Sequence, residues 1–260
     1  MLGQALAGRS VRRAVRRREG VPAGVRVLAI AHRAGNSLVG LQEATALGVD
    51  VVEADVHAIG GRLEVRHSKS LAPLPWLWDR PGPVRPPRRP GGRERRRRVE
   101  WTPAGTPVLQ LAELLGELDP TATLMVDLKG AGGVGPRTAR ALETRAHAPG
   151  AAPVLICGRW WPAVDAVSDR DGVRPVLTAR NRVELQRLRL RAKGSRPPYA
   201  VSVHRSLLTA PVVAELHRRV ERVLTWPVNS AGALEEVLSR GVRGVISDEA
   251  EVLRAVLDGG

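Results

Sequence analysis

The sequence predicts an α/β chain folded as a (β/α)8, or TIM, barrel. Three observations predict it. Short continuous apolar runs alternate with stretches of helical spacing from residue 26 to the end. Strict alternation implies a parallel sheet with helices outside, and continuous apolar runs are what strands buried on both faces look like. Eight strand–helix units in a chain of 260 residues is the arithmetic of a single barrel.

The elements follow in order. Arg26–Ala31 reads as the first strand, and Ser37–Leu47 as its helix, with Asn36 or Ser37 as N-cap. Val49–Val56 is the second strand. Arg62–His67, after Gly60 and Gly61, reads as a hairpin-like extension of it. An Arg/Pro-rich insertion comes next, and Val108–Leu118 then closes the second unit as a helix. Strand Thr121–Leu128 leads to helix Pro136–His147, Pro153–Cys157 to Pro162–Ser168, and Val173–Thr178 to Arg182–Arg191. Ala200–Val203 leads to Ala210–Val220, Arg222–Trp226 to Ala231–Arg240, and Gly244–Ile246 to Ala250–Leu257.

Composition narrows the function classes. With 43% hydrophobic residues, the chain can bury a sizeable core and is not a disordered protein. No apolar run reaches the ~20 residues of a membrane span. A single cysteine, Cys157, excludes an internal disulfide and a cysteine-based zinc cluster. A reduced, cytoplasmic location is the expectation.

The net charge of +15 is unevenly spread. Residues 1–26 hold seven Arg and one Glu, and residues 80–98 hold nine Arg and one Glu, which leaves 25 basic and 24 acidic residues elsewhere. The expected organisation is a basic tail over 1–24 and one barrel domain over 25–260, with a flexible insertion at about 79–100. These basic segments suit peripheral contact with an anionic membrane, and Trp76 and Trp78 beside the Arg run fit that reading. Their other reading is a solvated loop. Nucleic-acid binding is disfavoured, because the body is near neutral and aromatics do not interleave with its basic residues.

In such barrels the site lies at the C-terminal ends of the strands, so its polar residues can be read off. Glu53 and Asp55 are two apart on a strand and share a face, and Asp127 on the adjacent strand adds a third carboxylate. Like charges this close need a counter-charge, a proton or a cation. Oxygen ligands favour Mg²⁺ or Ca²⁺, while Arg33 and Lys129 could hold the carboxylates instead. His32 and His67 flank the carboxylates and could act as an acid/base pair across a scissile bond. Arg33 and Lys129 are fixed cations suited to a phosphate. His57 lies further out, and His204 is a weaker candidate at barrel level. His147 and His217 fall on helices, and Cys157 has no base beside it.

The stretch AHRAGNSLVGLQEATALGVDVVEADVHAIGGRLEVRH resembles the N-terminal signature of glycerophosphodiester phosphodiesterases. In that family a strand ends in His-Arg. An Asn-Thr-Leu-like helix start, Gly-x-Asp-x-x-Glu-x-Asp-Val and a second His follow it. VLTWPVNSAGALEEVLSRGVRGVISDEAEVL is similar to the family's last two strands.

The resemblance implies a barrel of the phospholipase C-like phosphodiesterase type. It implies metal-dependent cleavage of a glycerophosphodiester or lysophospholipid-like diester. His32 and His67 match the acid/base pair, and Glu53 and Asp55 match metal ligands. Asp127 stands where Glu is usual in a Glu-x-Lys motif, and Lys129 stands at its Lys. Gly35 replaces a common Glu, and Ser68 a common Asp. Asp127, Lys129 and Trp226 also look similar to the sphingomyelinase D-like phospholipases, which makes Trp226 a substrate-binding candidate and a lipid phosphodiesterase an alternative activity. Gly35 and Ser68 motivate a further alternative, a barrel that binds a phosphodiester without turning it over.

Overall fold

A computed structural model describes residues 26–70, 76–79, 100–103, 107–131, 133–146 and 148–259. The basic tail, most of the Arg-rich insertion and His147 lie outside the described residues. The chain runs β1 (Leu28–Ala31), α1 (Leu38–Leu47), β2 (Val51–Ile59), β3 (Arg62–Val65), β4 (Lys69–Ser70), β5 (Trp76–Asp79), β6 (Glu100–Pro103) and α2 (Leu111–Glu117). It continues with β7 (Thr123–Lys129), α3 (Val134–Ala146), β8 (Val154–Gly158), α4 (Trp161–Asp165), β9 (Val173–Ala179) and α5 (Arg182–Ala192). It ends with β10 (Ala200–His204), α6 (Ala210–His217), β11 (Arg222–Trp226), α7 (Ala231–Ser239), β12 (Gly244–Ser247) and α8 (Ala250–Asp258).

Eight strands pair in parallel in a closed ring, in the order β1, β2, β7, β8, β9, β10, β11, β12 and back to β1. The sheet is a TIM barrel with helices outside. Its seam is uneven: β1 aligns with β12 over four residues but with β2 over two.

Side chains alternate across the sheet, so each strand feeds two cores. Ala29, Val52, Ala54, Val126, Ile156, Val201 and Val245 point outward and pack in the layer shared with the helices. Ile30, Val51, Met125, Leu155, Val176, Leu224 and Ile246 point inward and fill the barrel. Gly244 belongs to the inward row; a Cβ there would run into Leu224 and meet Ile30, so its lack of a side chain gives Leu224 its room.

The elements form where the sequence supplies ends for them. Ser37 is the N-cap of α1, its Oγ accepting the Gly40 amide at 3.0 Å. Asn181, Thr209 and Ser230 cap α5, α6 and α7 in the same way. α3 starts at Val134, two residues before the expected Pro136, because proline is tolerated in a first turn whose N–H groups have no partner. α4 stops at Asp165, short of the expected Ser168, and turns follow.

β2 outruns its expected end at Val56, because its outer part leaves the ring and pairs antiparallel with β3. Gly60 and Gly61 turn between them at φ 53° and 86°, a conformation that favours glycine. β4, β5 and β6 form a separate antiparallel sheet, absent from the sequence reading.

Candidate active site

The candidate site continues the barrel's inward rows into its mouth. His32 is two residues beyond Ile30, Glu53 and Asp55 two and four beyond Val51, and Asp127 and Lys129 two and four beyond Met125. Trp226 follows Leu224 and Asp248 follows Ile246 by the same step. The strands that bury apolar side chains below therefore gather polar ones above.

The carboxylates are buried rather than solvated: Glu53 is 3% exposed and Asp55 is inaccessible. One oxygen from each of Glu53, Asp55 and Asp127 lies within 4.8 Å of the others. Lys129 joins the group, with Nζ 2.6 Å from Asp55 Oδ1 and in contact with Asp127 Oδ2. Glu53 accepts the Arg33 backbone N–H at 2.5 Å, and the Arg33 guanidinium lies 3.7 Å from Asp55. Arg33 adopts a left-handed conformation, φ 59°, which aims its amide at Glu53. Asn36 clasps Asp55 from both sides: its amide donates to Oδ2 at 2.8 Å and its carbonyl oxygen accepts the Asp55 N–H at 2.8 Å.

Gly35 explains one departure from the family pattern. A Cβ on it would come to 2.8 Å from the Ala54 Cβ and 3.2 Å from the Glu53 carbonyl oxygen. A glutamate side chain does not fit there. Ser68, the second departure, is buried and held by the Arg66 guanidinium, which also pairs with Glu64 at 2.7 Å.

Electrostatics follow from burial and crowding. Burial and the neighbouring Asp55 charge push the Glu53 carboxyl up to about 8. Burial would also raise Asp55, but the Lys129 ammonium, with His67 beside it, outweighs burial and lowers it to about 2. Burial opposes the Lys129 ammonium too, and Asp127, Asp55 and Glu53 overcome it and raise its pKa. Burial works against a charged His32, yet its bond to Asp248 and the Glu53 charge hold its pKa above the usual value. Burial, then the Arg66 charge, lowers His57 to about 4. Burial raises the Cys157 thiol, which suits a packed residue and not a nucleophile.

The group fits a divalent cation. Asp55 Oδ1 is buried, is ion-paired with the Lys129 ammonium, and faces two further carboxylates. An all-oxygen donor set suits Mg²⁺ or Ca²⁺. Glu53, raised by burial and then by Asp55, is a carboxyl that a bound cation would return to its charged form.

No family model and no curated protein matches the sequence, so the likeness to known proteins comes from structure. A Silicibacter pomeroyi chain assigned as a glycerophosphoryl diester phosphodiesterase superposes with TM-score 0.66 at 20% identity, over 96% of this chain and 97% of that one. The glycerophosphodiester phosphodiesterase of Thermotoga maritima gives 0.63 at 16% identity, over 86% and 96%. An Oleispira antarctica phosphodiesterase, solved with its product sn-glycerol-3-phosphate, gives 0.61 at 17% identity, over 88% and 96%.

The fold is that of the glycerophosphodiester phosphodiesterases.

Within that fold, Arg33, Glu53, Asp55, Asp127 and Lys129 lie together at the barrel mouth, and His32 is near enough for its charge to act on Glu53. His67 lies close enough to Asp55 for its charge to act on it. Trp226 sits at the same barrel level, but its recorded ring contact is with His204, edge to face at 5.1 Å. His204 in turn caps its own turn at Ser206. His217 bonds the Gly241 carbonyl at 3.0 Å and serves packing. Three residues of the site had no assigned role in the sequence reading. Asn36 enters that reading only as a possible helix cap, and Asn229 and Asp248 only as letters of the C-terminal stretch. Asn36 holds Asp55, Asp248 Oδ1 sits 2.6 Å from His32 Nδ1, and the Asn229 amide donates to Asp248 Oδ2 at 2.9 Å. The inward step from Ile246 was the available signal for Asp248.

Proposed function

We propose that the chain is a metal-dependent phosphodiesterase acting on glycerophosphodiesters or lysophospholipid-like diesters. The observation that carries this reading is the group of three carboxylates, Glu53 and Asp55 buried and Asp127 partly exposed, with Lys129, Arg33 and His32 around it at the mouth of the barrel. The product sn-glycerol-3-phosphate in the Oleispira antarctica neighbour supports the substrate class.

Glu53, Asp55 and Asp127 would hold a Mg²⁺ or Ca²⁺ ion, which when bound offsets the charge developing on a non-bridging phosphate oxygen. Lys129 and Arg33 are cations suited to the same phosphate. His32 and His67 exchange the protons: one takes the proton of the attacking hydroxyl, from water or from the substrate itself, and the other gives one to the leaving alcohol. Trp226 would line the alcohol side of the pocket. No helix among the described residues is long and apolar enough to cross a membrane, and contact with an anionic surface would fall to the Arg-rich segments.

The test is hydrolysis of a panel of glycerophosphodiesters and lysophospholipids with Mg²⁺, Ca²⁺ or EDTA. Turnover should vanish in EDTA and fall ~10²–10⁴-fold in His32→Ala, with Asp127→Ala comparably impaired. Release of choline from lysophosphatidylcholine, with glycerophosphocholine left uncleaved, would favour the phospholipase D-like alternative. Absence of turnover with every metal would overturn the reading and leave a phosphodiester-binding barrel.

A further inference from the structure

We propose that Asp248 and Asn229 are positioning residues that set the tautomer and the aim of His32. The inference rests on His32 being one of the two proton-transfer groups. His32 is held at two points by the end of β12. Its backbone N–H donates to the Ser247 carbonyl at 2.9 Å, and its ring Nδ1 lies 2.6 Å from Asp248 Oδ1. A carboxylate only accepts, so the proton of that bond sits on Nδ1. The neutral ring is then the Nδ1–H form, and Nε2 carries the lone pair that exchanges a proton with substrate.

Asp248 is itself held. Its Oδ2 accepts the Asn229 amide at 2.9 Å, and Asn229 Oδ1 accepts the Asp248 backbone N–H at 3.1 Å and the Ser247 hydroxyl at 3.2 Å. Asn229 therefore reads both ends of Asp248 and leaves Oδ1 as the oxygen turned to the ring. The two residues come from different loops, after β11 and after β12, and converge only through the barrel. This gives a role to Asn229 and Asp248, which the metal and phosphate groups do not use.

Asp248→Asn keeps the shape but adds an amide donor opposite Nδ1, which favours the opposite tautomer. Two measurements on the full-length chain decide the matter. The first is the ring ¹⁵N spectrum, with the His32 signal assigned by its loss in His32→Ala. Wild type should show Nδ1 protonated and Nε2 bare in the neutral ring, and Asp248→Asn should reverse this. The second is kinetics on the best diester of the panel. Asp248→Asn should lower kcat about 10²-fold or more with KM within about threefold, and Asn229→Ala should lower kcat about tenfold.

A wild-type ring protonated on Nε2 would overturn the proposal. So would a folded Asp248→Asn whose kcat stays within about threefold of wild type. If Asp248→Asn does not fold, the wild-type spectrum and the tenfold loss of kcat expected in Asn229→Ala decide the matter, and an Asn229→Ala kcat within about threefold of wild type would overturn the proposal. The spectrum needs no turnover, so a chain that hydrolyses nothing would count against the phosphodiesterase reading while the tautomer is still decided.

Discussion

Gly35 shows how a single hydrogen in place of a side chain holds a site together. It is buried beneath the strand that carries Glu53, with no space for a Cβ. Gly35→Ala should therefore push on Ala54 and on the Glu53 carbonyl. The expected cost is about 1–3 kcal/mol, the usual range for overpacking, read as a lower urea midpoint. A cation that binds only the folded chain raises its melting temperature, and this rise should shrink in the variant. The residues most legible in the sequence were those fixed by a local rule. Glu53 and Asp55 are two apart on one strand, and Asp127 and Lys129 repeat the step on its neighbour. Asp248 and Asn229 were present as letters, but their role depends on a pairing across the closed ring, which no local spacing encodes.

At the scale of elements, the eight barrel strands were legible because burial on both faces leaves them almost wholly apolar. The β4–β6 sheet was not, since strands of two to four residues carry too little pattern. Boundaries shifted where pairing or a tolerated first turn lengthened an element, as at β2 and α3, and held at the start of α5, the expected Arg182. α5 is an example of an end fixed by one bond: Asn181 Oδ1 accepts the Glu184 N–H at 2.9 Å. Asn181→Ala should cost about 1 kcal/mol, read from urea unfolding, and leave diester hydrolysis at the wild-type rate. The position is exposed and outside the group around His32 and Asp127.

At the scale of the whole molecule, the described barrel is two concentric cores divided by its closed sheet. The inner core is small, and Leu224, fully buried at its centre, takes the space that Gly244 leaves. Leu224→Ala should cost about 2–5 kcal/mol, since the ring cannot collapse onto the gap. Urea unfolding would show this as a lower midpoint at unchanged slope. Such a loss is a large part of the ~5–15 kcal/mol that holds a domain folded.

The seam of the barrel has a consequence in time. β1 finds two register partners on β2 and four on β12, and His32 and Asp248 stand 216 positions apart. At a synthesis rate of ~5–20 residues per second, β1 waits about 10–40 s for the strand that completes it. Through that interval one edge of β1 is open to any other strand, and His32 has not met Asp248. Catalytic competence, under the proposed reading, would appear late and all at once, making the first turnover a clock for closure of the ring.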